Sequence, residues 1–207
     1  TLEADPEALA MQATLEVRER STDIVSFGLE EWHRIFPLAS QCPDSEGDWV
    51  RSYLRDVRKW DAPDEWDAYH VSVGLSHYGT YRRFHTRVMF PGIVNNRVVH
   101  FTGRSLNAEA FPPKNLDFEN GDKPNCLFGM HLLNGYDFAY LVEGPMDAVT
   151  LGSPALGYWG SHILPEQIQL LKASGVSSAV LVPDLDLFSS DKKRKILRHN
   201  VEKVSSQ

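Results

Sequence analysis

Glu143 ends the apolar run Phe138–Val142, and Asp184 and Asp186 end a second apolar run, Ser178–Pro183. Acids at the carboxyl ends of parallel strands converge in the crevice where such sheets take their ligands. With no Cys or His among them, they suit a hard cation such as Mg²⁺ or Mn²⁺, which takes few protein ligands and keeps places for phosphate and water. A structural reading of the same residues stays open beside this one. Acids after strands are often helix N-caps, and Asp147 suits a first helical turn through the macrodipole alone. Phospho-accepting receiver domains share the acidic crevice but need a lysine after a later strand; between residues 137 and 191 there is only Lys172, inside a predicted helix.

The elements that would position these acids can be read from the pattern. Phe138 to Ala148 is an apolar run, a Glu-Gly turn and the start of a helix. The second run does not alternate, which predicts a strand buried on both faces. Two such β-to-α units side by side make a parallel sheet.

The acids lie in segments that resemble a known family. Leu141-Val142-Glu143-Gly144-Pro145-Met146-Asp147 is similar to the glutamate motif of Toprim domains, the catalytic fold of bacterial- and phage-type primases and of topoisomerases, and Pro183-Asp184-Leu185-Asp186 to its Asp-x-Asp motif. Between them, Gly160 to Ile168 resembles the turn and helix that primases place there. The upstream match is to primases in particular. Tyr81 to Pro91 resembles the segment with an arginine two residues before Met-Phe-Pro, and Val98 to Leu106 the Gly-Arg-x-Leu strand. Pro113-Lys114-Asn115-Leu116 and Lys123, ahead of Leu127-Phe128-Gly129, match two further elements. The resemblance covers roughly residues 70 to 190, in the right order.

It implies an α/β protein, α+β overall. A Toprim core with a parallel sheet flanked by helices would occupy residues 137–207, with a short basic C-terminal helix. A smaller basic α+β subdomain for template and nucleotides would occupy 71–136, and an acidic, Trp-containing helical segment 1–70. The activity implied is synthesis of short RNA primers on single-stranded DNA from ribonucleoside triphosphates. Glu143, Asp184 and Asp186 would be catalytic and, with Asp147, would hold Mg²⁺ or Mn²⁺. Arg82, Arg83, Arg87, Arg104, Lys114 and Lys123 would bind template or nucleotide phosphates. Tyr81, Phe84 and His85 could stack on bases, although core packing is the better reading for Phe84, Phe90 and Phe101.

Charge agrees with this division. The net charge of -7 is wrong for a protein that binds nucleic acid over its whole surface, but residues 71–136 carry 7 basic against 4 acidic side chains. Residues 137–191 carry 1 against 7, and residues 1–70 carry 7 against 16. The run Asp191-Lys192-Lys193-Arg194-Lys195 begins a helix that could touch nucleic acid, although a charge run is more often a solvated face. In the first segment Pro6 to Ala13 predicts a helix capped by Asp5, Gln41 to Asp48 a loop, and Trp32, Trp49, Tyr53, Trp60 and Trp66 a small core.

Cys42 and Cys126 are the only cysteines, too few for a four-cysteine zinc site. Primases commonly carry such a module, so a zinc-binding domain and a replicative helicase are expected as partners outside this chain. No apolar run approaches the roughly 20 residues that span a bilayer, and no P-loop sequence is present. The resemblance implies a cytoplasmic replisome protein, as a piece of a longer replication polypeptide or a minimal phage-type primase. Two departures bear on activity: Leu185 stands where the family has glycine, and Leu187-Phe188-Ser189-Ser190 replaces its Ala-Gly step. The alternatives are a Toprim nuclease and a non-catalytic module that binds nucleic acid or the replisome.

Overall fold

The computed structural model describes residues 24–75, 79–184 and 190–205. The helix expected from Pro6 lies outside them, as does Asp186. In chain order the elements are β1 (Phe27–Gly28), α1 (Leu29–Ile35), α2 (Ser45–Ser52), a π-helical turn (Tyr53–Val57), α3 (Pro63–Ala68), β2 (Ser72–Gly74), a 3₁₀ turn (Gly79–Phe84), β3 (Arg87–Val94), β4 (Arg97–Ser105) and β5 (Asn115–Asp117). A 3₁₀ turn (Met130–Leu132) then leads to β6 (Phe138–Val142), α4 (Pro145–Leu151), β7 (Ala155–Gly157), α5 (Pro165–Ala173), β8 (Ser178–Leu181) and α6 (Asp191–Ser205).

Two sheets result. The antiparallel one runs β1-β4-β3-β2, with β5 also on β4. Its central hairpin turns on Asn95 and Asn96, both at positive φ, a two-residue turn whose twist matches the strands and which Asn tolerates. The parallel sheet runs β7-β6-β8. The chain leaves β6 through α4 to β7 on one side, then crosses through α5 to β8 on the other. The strand order therefore reverses at β6, and the crevice lies outside the ends of β6 and β8.

Strand alternation sorts the antiparallel sheet into two faces. Val88 and Phe90 of β3 join a cluster with Phe128, Val142 and Trp159 from the second half of the chain and Trp60 and Trp66 from the first. Met89 points the other way, into a cluster with Phe27, Trp32, Phe84, Phe101 and Phe118. A third cluster, with Leu141, Leu156, Ile168 and Leu171, fills the parallel sheet against α5.

Three expectations need correction. β8 is an edge strand, not one buried on both faces, and Val180 is 50% exposed because no further strand or helix covers that side among the described residues. Trp49 is 55% exposed on α2, whereas Trp32, Trp60 and Trp66 are buried in the two clusters shared with the antiparallel sheet. The Gln41–Asp48 stretch is a loop only as far as Asp44: α2 begins at Ser45, with Gly47 so close to Cys42 that a Cβ there would meet the Cys42 carbonyl. Phe84, Phe90 and Phe101 are all buried, as core packing requires.

Candidate nucleotidyl-transfer site

Glu143 follows the last residue of β6. Its loop is short because Gly144 is extended and Pro145 opens α4, whose fixed φ suits the first helical position. Gly157 of β7 backs this turn. A Cβ there would stand 2.9 Å from the Gly144 carbonyl carbon, so the strand passes flush against the backbone that carries Glu143. The Glu143 carbonyl accepts from Gly160 N–H at 2.9 Å, tying the loop after β7 to the same turn. Glu143 Oε1 is shielded from solvent.

Asp147 lies in the first turn of α4. Burial raises its carboxyl above the usual carboxylate range, and the charge of Asp184 adds to the effect. Arg58 and the Gly144 and Asp147 backbone act in the opposite direction. Asp184 is exposed after β8. Burial also raises the Tyr158 hydroxyl, and Glu143, Asp184 and Asp147 push it further. Tyr158 thus feels all three acids, and Asp147 feels Asp184, at the end of the parallel sheet.

Among the described residues, no three His, Cys, Asp or Glu side chains are grouped closely enough to hold a metal ion. Asp186, the remaining expected ligand, lies outside those residues. The donor chemistry nonetheless fits Mg²⁺ or Mn²⁺. The acids are carboxylates alone, and burial first, then the charge of Asp184, disfavours the ionised form of Asp147, a penalty that a divalent cation would relieve.

The basic residues divide by face. Arg104 pairs in register with Val88 and projects with His100 and Thr102 toward the parallel sheet; its guanidinium donates to Asn115 Oδ1 at 3.0 Å. Lys114 is exposed next to Asn115, and Lys123 pairs with Asp117 at 2.9 Å. Arg82 is exposed. Arg83 lies over Phe84 and pairs with Glu119 at 2.7 Å, an exposed pair of the kind that holds weakly.

Arg87 is a correction. It shares its face with Met89, opposite Arg104, and is 2% exposed. Its guanidinium donates to the carbonyls of Pro113 (2.8 Å), Phe111 (2.9 Å), Pro112 (3.2 Å) and Gly103 (3.3 Å), so it staples the 111–113 loop instead of facing a groove. Tyr81 is another. Its ring packs on Phe27, Phe36, Phe101 and Phe118 and is not presented to bases.

The structure adds three residues that the sequence did not single out. Arg58 follows the π-helical turn, whose extra residue per turn resets the phase of the chain, and it bears on Asp147 from the first segment. Nothing in the polar run Arg55–Lys59 marks it. Tyr158 is hidden in an apolar stretch. Asn200 is the fully buried residue of α6 and binds the loop after Gly160, accepting from Ile163 N–H and donating to the Ser161 carbonyl. Its signal is a polar side chain in the inward phase set by Ile196, Leu197 and Val204.

No family model matches the chain, and no curated protein matches it. Solved structures do. The catalytic core of DnaG is 20% identical with a TM-score of 0.64, over 84% of this chain and 65% of that one. The RNA polymerase domain of Mycobacterium tuberculosis primase DnaG is 19% identical with a TM-score of 0.57, over 75% and 68%. The zinc-binding and RNA polymerase domains of Aquifex aeolicus primase are 17% identical with a TM-score of 0.50, over 98% and 53%. The chain thus spans 65% of the first of these structures and 53% of the third. Its mixed sheets, with carboxylates at the ends of β6 and β8, have the fold of the DnaG primase catalytic core.

Proposed function

We propose that this chain is a primase catalytic domain, a nucleotidyltransferase that builds short RNA primers on single-stranded DNA from ribonucleoside triphosphates. The observation that carries the reading is the placement of Glu143 and Asp184 at the ends of adjacent parallel strands, with Asp147 raised between them. Glu143, Asp147 and Asp184, with Asp186, would hold Mg²⁺ or Mn²⁺ in a Toprim-type site. When bound, the ion supplies charge neutralisation on the triphosphate and a lowered pKa for the attacking 3′-hydroxyl. The chain's own part is positioning, which accounts for most of phosphoryl-transfer catalysis. Arg58 limits repulsion among the acids, and the Gly144–Asp147 turn fixes their spacing.

Arg82, Arg83, Arg104, Lys114 and Lys123 would guide template or nucleotide phosphates without reading sequence. Arg104, on the sheet face turned toward the acids, is the best placed of these. Such an enzyme works at a replisome, in the cytoplasm of a bacterial or phage-infected cell, beside a helicase and a zinc-binding domain.

The test is incubation with single-stranded DNA, labelled ribonucleotides and Mg²⁺ or Mn²⁺, comparing the chain with its Glu143→Gln variant. Short oligomers from the unchanged chain alone are expected. Template degradation instead would mean a nuclease, and neither product from a folded chain would mean a nucleic-acid or replisome-binding module.

A further inference from the structure

Helix α6 has two faces of different character. Its inner face is latched to the loop after β7: Asn200 bonds Ile163 and Ser161, and Lys203 Nζ donates to the Ile163 carbonyl at 2.7 Å. That loop begins at Gly160, which is bonded to Glu143, and Asn200 lies beside Tyr158, whose hydroxyl feels Glu143, Asp184 and Asp147. The helix is therefore fixed to the rim of the acidic crevice.

The outer face exposes Lys192, Lys195, Arg198 and His199. Arg194 pairs with Asp191 at 2.6 Å, but Lys192, Lys195 and Arg198 have no acidic partner among the described residues. Acids stand only at the two ends of the basic run: Asp191, which pairs with Arg194, and Glu202, four residues past Arg198 with no ion pair to it. A solvated helix face usually mixes signs, because opposite charges three or four residues apart stabilise it and like charges destabilise it by similar amounts. This face keeps like charges together, in a chain whose net charge is -7. Uncompensated cations on an anchored helix beside a phosphate-handling site call for a polyanion.

We infer that the outer face of α6 is a docking rail for single-stranded nucleic acid, carrying a strand's phosphates past the carboxylate site. The inference rests on the proposed function for the identity of the polyanion. From Lys192 to Arg198 the helix rises about 9 Å, enough to meet two or three successive phosphates. The contacts are charge to phosphate and carry no base preference.

The test is the salt dependence of binding to fluorescein-labelled oligothymidylate, followed by anisotropy between about 50 and 200 mM salt. The triple variant Lys192→Ala/Lys195→Ala/Arg198→Ala should lower the slope of log affinity against log salt by about 2, since each phosphate contact on a single strand contributes about 0.7. A charge-keeping variant, Lys192→Arg/Lys195→Arg/Arg198→Lys, should retain the original slope, which separates charge from any change in folding. An unchanged slope in the triple variant, an equal loss in the charge-keeping one, or binding to anionic vesicles but not to oligothymidylate would overturn the rail. Primer synthesis is scored separately. A slope loss in a chain that makes no primers would sink the catalytic reading and keep the rail, and primer synthesis with an unchanged slope would do the reverse.

Discussion

Arg87 and Arg104 lie on adjacent strands and leave the sheet on opposite faces, since Arg104 pairs with Val88. Both lie in segments that resemble those of primases, yet only Arg104 leaves on the face that packs against the parallel sheet. Arg87 converts its charge into hydrogen bonds to four carbonyls, at the cost of desolvation that lowers its pKa. Arg87→Ala should therefore destabilise the fold by about 2–3 kcal/mol, the scale of losing charged hydrogen bonds in a buried setting. The midpoint of urea unfolding measures this. The salt slope of single-stranded DNA binding should stay the same, and a fall of about 1 would return Arg87 to the groove. Glu143 and Asp184 were readable because each stands where an apolar run stops. For Arg87 the residue type shows a charge but not which side of a strand it leaves; the parity with Met89 is legible in the sequence, but which face meets the parallel sheet is not. Arg58 and Asn200 were invisible for a related reason, since both act across contacts between segments far apart in the sequence.

The Glu143 turn is held by packing between elements more than by its own residues. Gly157, in the middle of an otherwise apolar stretch, is the residue that lets β7 approach it. Gly157→Ala should push the Gly144 backbone away, because atoms closer than about 3 Å must separate and neither backbone can swing clear. Expected is a large loss of primer synthesis with only a modest drop in melting temperature, read from the same polymerisation assay and a thermal melt. A melting temperature unchanged together with full activity would show that the turn does not depend on the contact. The β6–turn–α4 unit was legible because Gly144 and Pro145 punctuate it. The edge position of β8 was not, because an unbroken apolar run looks the same whether or not another element covers its outer face. Gly157 carried no signal either, as a strand glycine announces a close approach without naming what approaches.

At the scale of the whole molecule, three histidines join parts of the chain that sequence alone keeps apart. His33 of α1 lies 3.1 Å from His70, just before β2, and the His70 ring is 5.3 Å from that of His131 in the turn before β6. Burial, then His131 and His33, lower the His70 pKa to about 4. His33 and His131 are lowered by burial as well; Asp67 on α3 opposes the shift at His33 and the Ala68 carbonyl opposes it at His131. A histidine whose folded pKa lies below its unfolded value of about 6.5 binds its proton more readily when unfolded. Its contribution to stability is complete above about pH 6.5 and is lost as pH falls toward 4. From pH 7 to 5 the loss should be about 1–2 kcal/mol for His70. His100, buried against Trp159 and also lowered to about 4, should add a separate loss. His70→Asn removes the titrating ring but keeps a side chain that tolerates the positive φ found there. Its urea-unfolding free energy should therefore vary less between pH 7 and 5 than that of the unchanged chain, with the His100 share remaining. An identical pH dependence in the two proteins would show that His70 takes up its proton as readily in the folded chain as in the unfolded one, and that the joint between the segments does not sense pH.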